Sequence, residues 1–477
     1  MPSKSGPEGR SATDLVRRVG LLVGPLLAVA VLATPPPGEL SVEGWKVAGL
    51  GAWMATWWLT EAIPLSATAL LPLVVLPLLG VHEIGEAAAP YANPVIFLFL
   101  GGFLVAAALS RCGLHRRFAF AVVRGVGPRP RRLVGGFLVA TAALSMWVSN
   151  TATAVIMLPL ALSLLPEDRD ARRGLAPPLL LAVAYGANIG GLGTLVGTPP
   201  NAFLAGFLSE VYSLEVGFGQ WMLVGVPVVA LSLPLVWWVL VSRLDPVPAG
   251  EVGDAVAVPP PAGPLRREEW VVGGITAGVA LAWVTQPLLE SRIPGLSDAG
   301  IAMVGALLLF ALPVGYRPLR FSLTWKEAEA LPWGVLILFG GGLSLASAIQ
   351  GTGLAGWIGG RLGVLDTFPL WVLVLAVTVL MIFLTELTSN TATAAAFLPV
   401  VAALAVGAGE SPLVLAVPAA LAASCAFMLP VATPPNAVVF GSGEIEMGQM
   451  IRAGLWLNVL LTLLITALAL WWVPRVL

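Results

Sequence analysis

Ser149-Asn150-Thr151-Ala152-Thr153-Ala154 recurs unchanged 240 residues later as Ser389-Asn390-Thr391-Ala392-Thr393-Ala394. Each copy lies in apolar sequence and is followed, at the same offset, by a Leu-Pro pair, Leu158-Pro159 and Leu398-Pro399. A second motif follows each copy: Gly197-Thr198-Pro199-Pro200-Asn201-Ala202, then Ala432-Thr433-Pro434-Pro435-Asn436-Ala437. Hydroxyls, amides and tandem prolines are poor material for a helix facing lipid. They suit irregular backbone that lines a cavity or is buried in protein. Two copies of such a pair point to one site built from two halves. Small residues also let membrane helices approach closely, but packing explains neither the paired prolines nor the repeated asparagines. A nucleophile at Ser149 or Ser389 would need a base within hydrogen-bond reach, and neither His82 nor His115 is placed for that. The chemistry is binding rather than bond cleavage, so the chain is read as a non-enzyme.

The elements that position these motifs are membrane helices. The chain has 477 residues, 58% hydrophobic and 11% charged, with mean hydropathy +0.91. Soluble domains carry roughly 25% charged residues. The composition therefore describes an all-α polytopic membrane protein. A net charge of -1 gives no pointer to nucleic acid, and Cys112 and Cys425 do not make a disulfide framework. Arg10, Arg17 and Arg18 precede an apolar run that could pass for a signal peptide. No convincing small-residue cleavage pattern precedes Pro35-Pro36-Pro37, so the run reads as the first span.

A span needs about 20 apolar residues. Eleven are expected, near 19–34, 44–62, 64–80, 93–111, 174–206, 218–242, 270–288, 297–315, 332–350, 411–441 and 450–474. Two further apolar stretches, 133–165 and 367–407, hold the hexapeptides in their middles and read as re-entrant hairpins. Spans 174–206 and 411–441 contain the Thr-Pro-Pro motifs. Proline removes a helix hydrogen bond and clashes with the preceding turn, so both are expected to be broken helices.

Arg111, Arg116, Arg117, Arg124, Arg129, Arg131 and Arg132 crowd one segment without an acidic residue. The positive-inside rule makes that segment cytoplasmic. Counting back puts the N-terminus, residues 1–18, in the cytoplasm. The loops with Glu83 and Glu86 and with Glu210 and Glu215 fall outside, and the Pro- and Gly-rich stretch 244–268 becomes a cytoplasmic linker. Counting on, the C-terminus lies outside.

The repeat is wider than the hexapeptide. Leu100-Gly101-Gly102 aligns with Gly340-Gly341-Gly342, and Gly113-Leu114 with Gly353-Leu354, all at offset 240. Arginine is dense after the first copy, whereas the second has only Arg361 and Asp366 in the matching stretch. The matching segments therefore face opposite sides. Residues 19–243 and 269–477 are read as inverted repeats, a frequent plan of secondary transporters with a site near the midplane.

The two Ser-Asn-Thr motifs, the two Thr-Pro-Pro motifs and Trp57-Trp58-Leu59-Thr60-Glu61-Ala62-Ile63-Pro64 resemble those of the divalent anion/sodium symporter family over residues 14–475. That family imports dicarboxylates, citrate or sulfate. The resemblance implies a homodimer in the plasma (inner) membrane, with a scaffold and a moving transport domain in each protomer and an elevator-like shift. It implies no cofactor beyond sodium as coupling ion. It places one sodium at Ser145, Ser149, Asn150 and the backbone near Gly197, and another at Thr385, Ser389, Asn390 and the backbone near Ala432. Side-chain and carbonyl oxygens suit such a hard cation, as they do calcium and magnesium. Ser145 and Thr385 each stand four residues before a motif serine, about one helical turn. Their hydroxyls favour sodium coupling over sodium-independent exchange.

The anion is expected between the hairpin tips. Ser149, Asn150, Thr151, Ser389, Asn390 and Thr391 line it, Thr198 and Thr433 add hydroxyls, and Pro199 and Pro434 shape the wall. No Arg or Lys lies in either motif. Sodium and helix N-termini must then supply the positive potential. A C4-dicarboxylate such as succinate, malate or fumarate is the expected cargo, with sulfate or citrate as alternatives and an anion channel as the different class. Glu61 and Glu386 fall in membrane segments, where carboxylates are costly and often functional. Glu386 could carry a proton, but it is read as a carboxylate hydrogen-bonded within its domain, and Glu61 as one snorkelling near an interface. His82 and His115 are read as surface residues.

Overall fold

The computed structural model describes residues 7–127, 129–244, 263–290, 292–361 and 368–477. Most of the 244–268 linker, together with Asp366, lies outside the described residues. Apolar runs without charge form the long helices. Helices α1 (Pro7–Leu32) and α2 (Val42–Thr60) pack on each other. The Trp-rich stretch ends α2: Glu61 takes the left-handed conformation at φ 47° and pairs with Arg17 at 3.0 Å. Short α3 (Leu65–Thr68), α4 (Leu71–Leu78) and α5 (Ile84–Ala88) lead to α6 (Pro94–Cys112), N-capped by Asn93. Gly113 then turns the chain into the amphipathic α7 (Leu114–Val126) at φ +80°. Gly353 repeats that turn 240 residues later at φ +76°. Both need a residue without Cβ, so the sequence alignment at this pair reflects a shared backbone shape.

The motifs fall at helix breaks. Helices α8 (Pro130–Ser145) and α9 (Asn150–Ser163) flank the first hexapeptide tip, and both pack on α10 (Arg169–Gly191). After a break, α11 (Pro199–Tyr212) and α12 (Phe218–Ser242) complete this half. The second half begins with α13 (Arg267–Leu289), α14 (Asp298–Ala311), a small antiparallel hairpin of β1 (Pro313–Tyr316) and β2 (Leu319–Phe321), and α15 (Trp325–Glu329). Helices α16 (Trp333–Gly351) and α17 (Leu354–Arg361) follow, and α18 (Leu370–Thr385) and α19 (Asn390–Gly407) flank the second tip. The chain ends in α20 (Leu413–Ala423), α21 (Pro434–Phe440), α22 (Met447–Trp471) and α23 (Val473–Val476).

Both expected broken helices are broken. Pro199-Pro200 and Pro434-Pro435 occupy the first two positions of α11 and α21. There the missing N–H costs nothing, because no intrahelical acceptor exists. Among the described residues seven helices are long and apolar enough to cross a membrane. Shorter apolar helices include 65–78, 298–311 and 413–423; the expected spans 44–62 and 174–206 fall in neither group, and 390–407, expected as a hairpin arm, is one of the seven. The core is centred on α10, buried at every residue from Leu175 to Gly191. The exposed apolar side chains of α1 and α13, such as Leu22, Leu26, Leu281 and Leu288, face outward. This is a multi-pass membrane protein, whose lipid-facing surfaces need be no more polar than its interior.

Candidate ion and anion site

Each hexapeptide marks a helix start. Ser149 is the N-cap of α9, its Oγ accepting from the Ala152 N–H at 3.3 Å, and Ser389 is the N-cap of α19. The terminal amide of Asn150 then points back toward the end of α8. One amide atom lies 2.7 Å from Ser145 Oγ, 3.1 Å from the Gly197 carbonyl oxygen and 3.2 Å from the Ala187 carbonyl oxygen. As nitrogen, that atom has two protons to donate among the three; as oxygen, it completes a group of four oxygens. Which end faces inward is set by the hydrogen-bond network. The closeness of Gly197 and Gly191 makes room for it: a Cβ on Gly197 would sit 2.4 Å from the Gly191 carbonyl oxygen.

The second cluster repeats the first. Thr385 Oγ1 lies 2.7 Å from Asn390 Oδ1 and 2.7 Å from the Ala423 carbonyl oxygen. The hydroxyl has one proton for two acceptors, so this group too is rich in oxygen. Ser145 and Thr385 are fully buried. Two buried oxygen groups of this kind fit a hard cation, and neither contains a fixed charge.

The asparagines of the Thr-Pro-Pro motifs hold the breaks. Asn201 Nδ2 donates to the carbonyls of Gly191 at 3.1 Å and Thr194 at 2.8 Å. Asn436 Nδ2 donates to those of Ala426 at 3.1 Å and Leu429 at 3.0 Å. These are the same ten- and seven-residue offsets, so the repeated asparagines tie off the carbonyls that an unwound helix frees.

The hydroxyls of Thr198 and Thr433 each reach the other half. Gly197, not Thr198, meets Asn150. Thr198 Oγ1 instead lies 3.3 Å from Ser424 Oγ of the other half. Thr433 Oγ1 accepts from Asn188 Nδ2 at 3.1 Å, again across the halves. The hydroxyls are buried between the two breaks, which leaves Pro199 half-buried and Pro434 exposed. Ser149 and Thr151 are exposed, Asn150, Ser389 and Asn390 are half-buried, and Thr391 is 9% exposed. A separate cavity of about 470 Å³, lined by Glu215, Glu290 and Asp298 among others, includes none of the motif residues.

Glu386 is buried and structurally engaged. Its carboxylate accepts from the N–H groups of Phe427 at 2.7 Å, Met428 at 3.0 Å and Leu429 at 3.3 Å, and from Asn458 Nδ2 at 2.8 Å. Multiple donors of this kind offset the desolvation of a carboxylate. His115 corrects the sequence reading. It is 5% exposed, with Nδ1 2.9 Å from the Leu109 carbonyl oxygen, because the Gly113 turn folds the start of α7 beneath the end of α6. Burial pushes its imidazole below the ordinary histidine range.

Sequence reasoning missed Ala187, Asn188, Ala423, Ser424 and Asn458. No repeated motif contains them, and two act through backbone carbonyls. The Asn of each Thr-Pro-Pro-Asn motif was legible, although its role was not.

Helices broken at paired proline motifs and short helix pairs around the hexapeptides define a membrane transporter fold. The Alcanivorax borkumensis YdaH transporter shares it with a TM-score of 0.61 at 20% identity, over 88% of this chain and 98% of that one. Neisseria gonorrhoeae MtrF, described with antimetabolite efflux pumps, gives 0.54 at 14% identity, over 98% of this chain and 96% of that one. The family model for the sodium:sulfate symporter transmembrane region matches residues 15–477, and the chain belongs to that family. The sodium-dependent dicarboxylate transporter SdcS of Staphylococcus saprophyticus is 42% identical over 96% of this chain and 92% of its own length. The SdcS of Staphylococcus aureus is 41% identical over the same shares.

Proposed function

We propose that the chain is a secondary transporter that carries a C4-dicarboxylate such as succinate, malate or fumarate into the cell together with sodium. The observation that carries this is the pair of buried, uncharged oxygen clusters at Asn150 and Asn390. One sodium is held by Ser145, Ser149, Asn150 and the carbonyls of Gly197 and Ala187. The other is held by Thr385, Ser389, Asn390 and the backbone of Ala423 and Ala432. Half a turn of the Asn150 amide exchanges a nitrogen that donates among Ser145, Gly197 and Ala187 for an oxygen that joins them. That rotation lets the first cluster close without an ion and coordinate with one.

The anion lies at the tips, against Ser149, Asn150, Thr151, Ser389, Asn390 and Thr391, with Thr198, Pro199, Thr433 and Pro434 behind. Helices α9, α11, α19 and α21 all begin at these motifs. The N-terminal N–H groups of α9 and α19 add partial positive charge, whereas α11 and α21 start with two prolines that carry no N–H. With no cationic side chain in the motifs, sodium supplies the rest. The names of the SdcS relatives favour a dicarboxylate over sulfate or citrate.

The helix pairs act as re-entrant hairpins entering from opposite faces in two inverted halves. Helix α8 has 16 residues, about 24 Å against a hydrocarbon core of about 30 Å. A homodimer with an elevator-like transport domain, its N-termini in the cytoplasm and its C-termini outside, is the arrangement consistent with this. Uptake of labelled succinate into proteoliposomes tests the reading. Saturable uptake in sodium, competed by fumarate and lost in choline, is expected. Equal uptake in both cations, or conductance without saturation, would overturn it.

A further inference from the structure

We propose that two dipeptides, Ala187-Asn188 and Ala423-Ser424, couple the two ion clusters, so that filling one raises the affinity of the other. The inference rests on reading the clusters as sodium sites. In each dipeptide the carbonyl serves one cluster and the next side chain reaches the opposite half. The Ala187 carbonyl oxygen lies 3.2 Å from the Asn150 amide of the first cluster. Asn188 Nδ2, one residue on, donates to Thr433 Oγ1 at 3.1 Å and to Asn436 Oδ1 and the Ala426 carbonyl at 3.2 Å. The Ala423 carbonyl accepts from Thr385 Oγ1 at 2.7 Å in the second cluster. Ser424 Oγ lies 3.3 Å from Thr198 Oγ1, and Thr198 follows Gly197, whose carbonyl belongs to the first cluster.

The links cross. The first half reaches the second break through Asn188, and the second half reaches the first break through Ser424. A carbonyl and the following N–H share one rigid plane. When an ion draws the Ala187 carbonyl, the plane tilts and the backbone torsions that orient Asn188 change with it. The same holds for Ala423 and Ser424. Asn188, Ser424, Thr198 and Thr433 are each at most 3% exposed, so close packing passes the movement on. Asn188 Oδ1 has no hydrogen-bond partner among the described residues. An orphaned buried acceptor is costly, so Asn188 is held there for its amide N–H groups.

Sodium titration of the purified full-length protein, followed by tryptophan fluorescence and repeated for Asn188→Ala, Ser424→Ala and Ser424→Thr, tests this. The wild type is expected to titrate more steeply than a single-site curve. Asn188→Ala and Ser424→Ala should flatten it toward single-site form, with half-saturating sodium raised about fivefold, the low end of ordinary coupling. Ser424→Thr should restore the steepness, which a merely structural role would not require. Unchanged steepness in folded Ser424→Ala, the milder change, would overturn the proposal, as would a sodium-responsive wild type with a single-site curve. A wild type that does not respond to sodium at all would instead sink the sodium reading itself.

Discussion

The two halves share a hydroxyl–asparagine pair, Ser145–Asn150 and Thr385–Asn390, and differ in what supports the break beside it. In the first break the chain coils: Leu192 N–H bonds the Ile189 carbonyl, Gly193 that of Gly190 and Gly197 that of Thr194. Side chains then need only tie the coil down, through Thr194 Oγ1 to the Met146 carbonyl at 2.6 Å and Trp221 Nε1 to the Leu192 carbonyl at 3.0 Å. In the second break the backbone after Cys425 takes no regular structure, and the N–H groups of Phe427, Met428 and Leu429 turn to the Glu386 carboxylate. The residue 240 positions before Glu386 is Met146. A neutral coil on one side is thus matched by a charged clamp on the other. The same oxygen cluster can be built on either support, and the carboxylate marks the half that could not satisfy its own backbone.

Removing the clamp should have the largest effect. Glu386→Ala leaves the buried Phe427 N–H and Asn458 amide, and the part-buried N–H groups of Met428 and Leu429, without this acceptor, at about 1–3 kcal/mol for each group that stays unsatisfied. Thermal unfolding of the purified protein should show a large loss of stability, whereas Met146→Leu should change it little. Comparable losses in both variants would erase the proposed difference between the halves.

The clusters also differ in how tightly they close. A Cβ on Gly197 would meet the Gly191 carbonyl oxygen at 2.4 Å, while the second half carries Ala432 at the matching place. Gly197→Ala should therefore abolish sodium-dependent uptake, and Ala432→Gly should lower it only modestly. Full activity in Gly197→Ala would show that the two clusters close alike.

Ser145→Ala and Thr385→Ala each remove one hydroxyl and one hydrogen bond. A net loss of about 1 kcal/mol corresponds to a roughly fivefold higher sodium requirement, read from uptake against sodium concentration. Unaltered sodium dependence in both would remove these residues from the sites.

A smaller effect is expected at the tie between the halves. Arg172 holds Glu444 through Nε and Nη2 of one guanidinium edge, at 3.2 Å and 2.7 Å to Oε1. The Arg172 guanidinium keeps the Glu444 carboxyl below the ordinary glutamate range. A depressed carboxylate stabilises the fold above its ordinary pKa, and that contribution is lost as pH falls through the lowered value. Wild type should lose thermal stability on acidification more steeply than Glu444→Gln. The difference should be small, because partly exposed pairs contribute little. Identical pH profiles would show that the pair contributes nothing.

Much of this was legible in the sequence, for a physical reason. The Thr-Pro-Pro-Asn motifs and the hexapeptides mark the breaks at 192–198 and 424–433 and the helix starts at Asn150 and Asn390. Pro177-Pro178, by contrast, lies inside α10, so the flanking Thr and Asn, and not the paired prolines alone, made the breaks legible. What escaped was carried by backbone and by contacts across the halves. The carbonyls of Ala187 and Ala423 have no signature in side-chain identity. Asn188 and Ser424 stand 236 residues apart with different side chains, and the buried ends of Thr198 and Thr433 depend on how the two breaks interlock. The burial of His115 followed from a glycine turn whose sense no periodicity announces.

The central claim is that sodium supplies the charge that the motifs lack, so ion and anion must bind together. Equilibrium binding of succinate to the purified protein, in sodium and in choline, tests this most directly. Succinate affinity should be at least about fivefold higher in sodium, and succinate should raise sodium affinity by the same factor. Equal succinate affinity in the two cations would contradict the account.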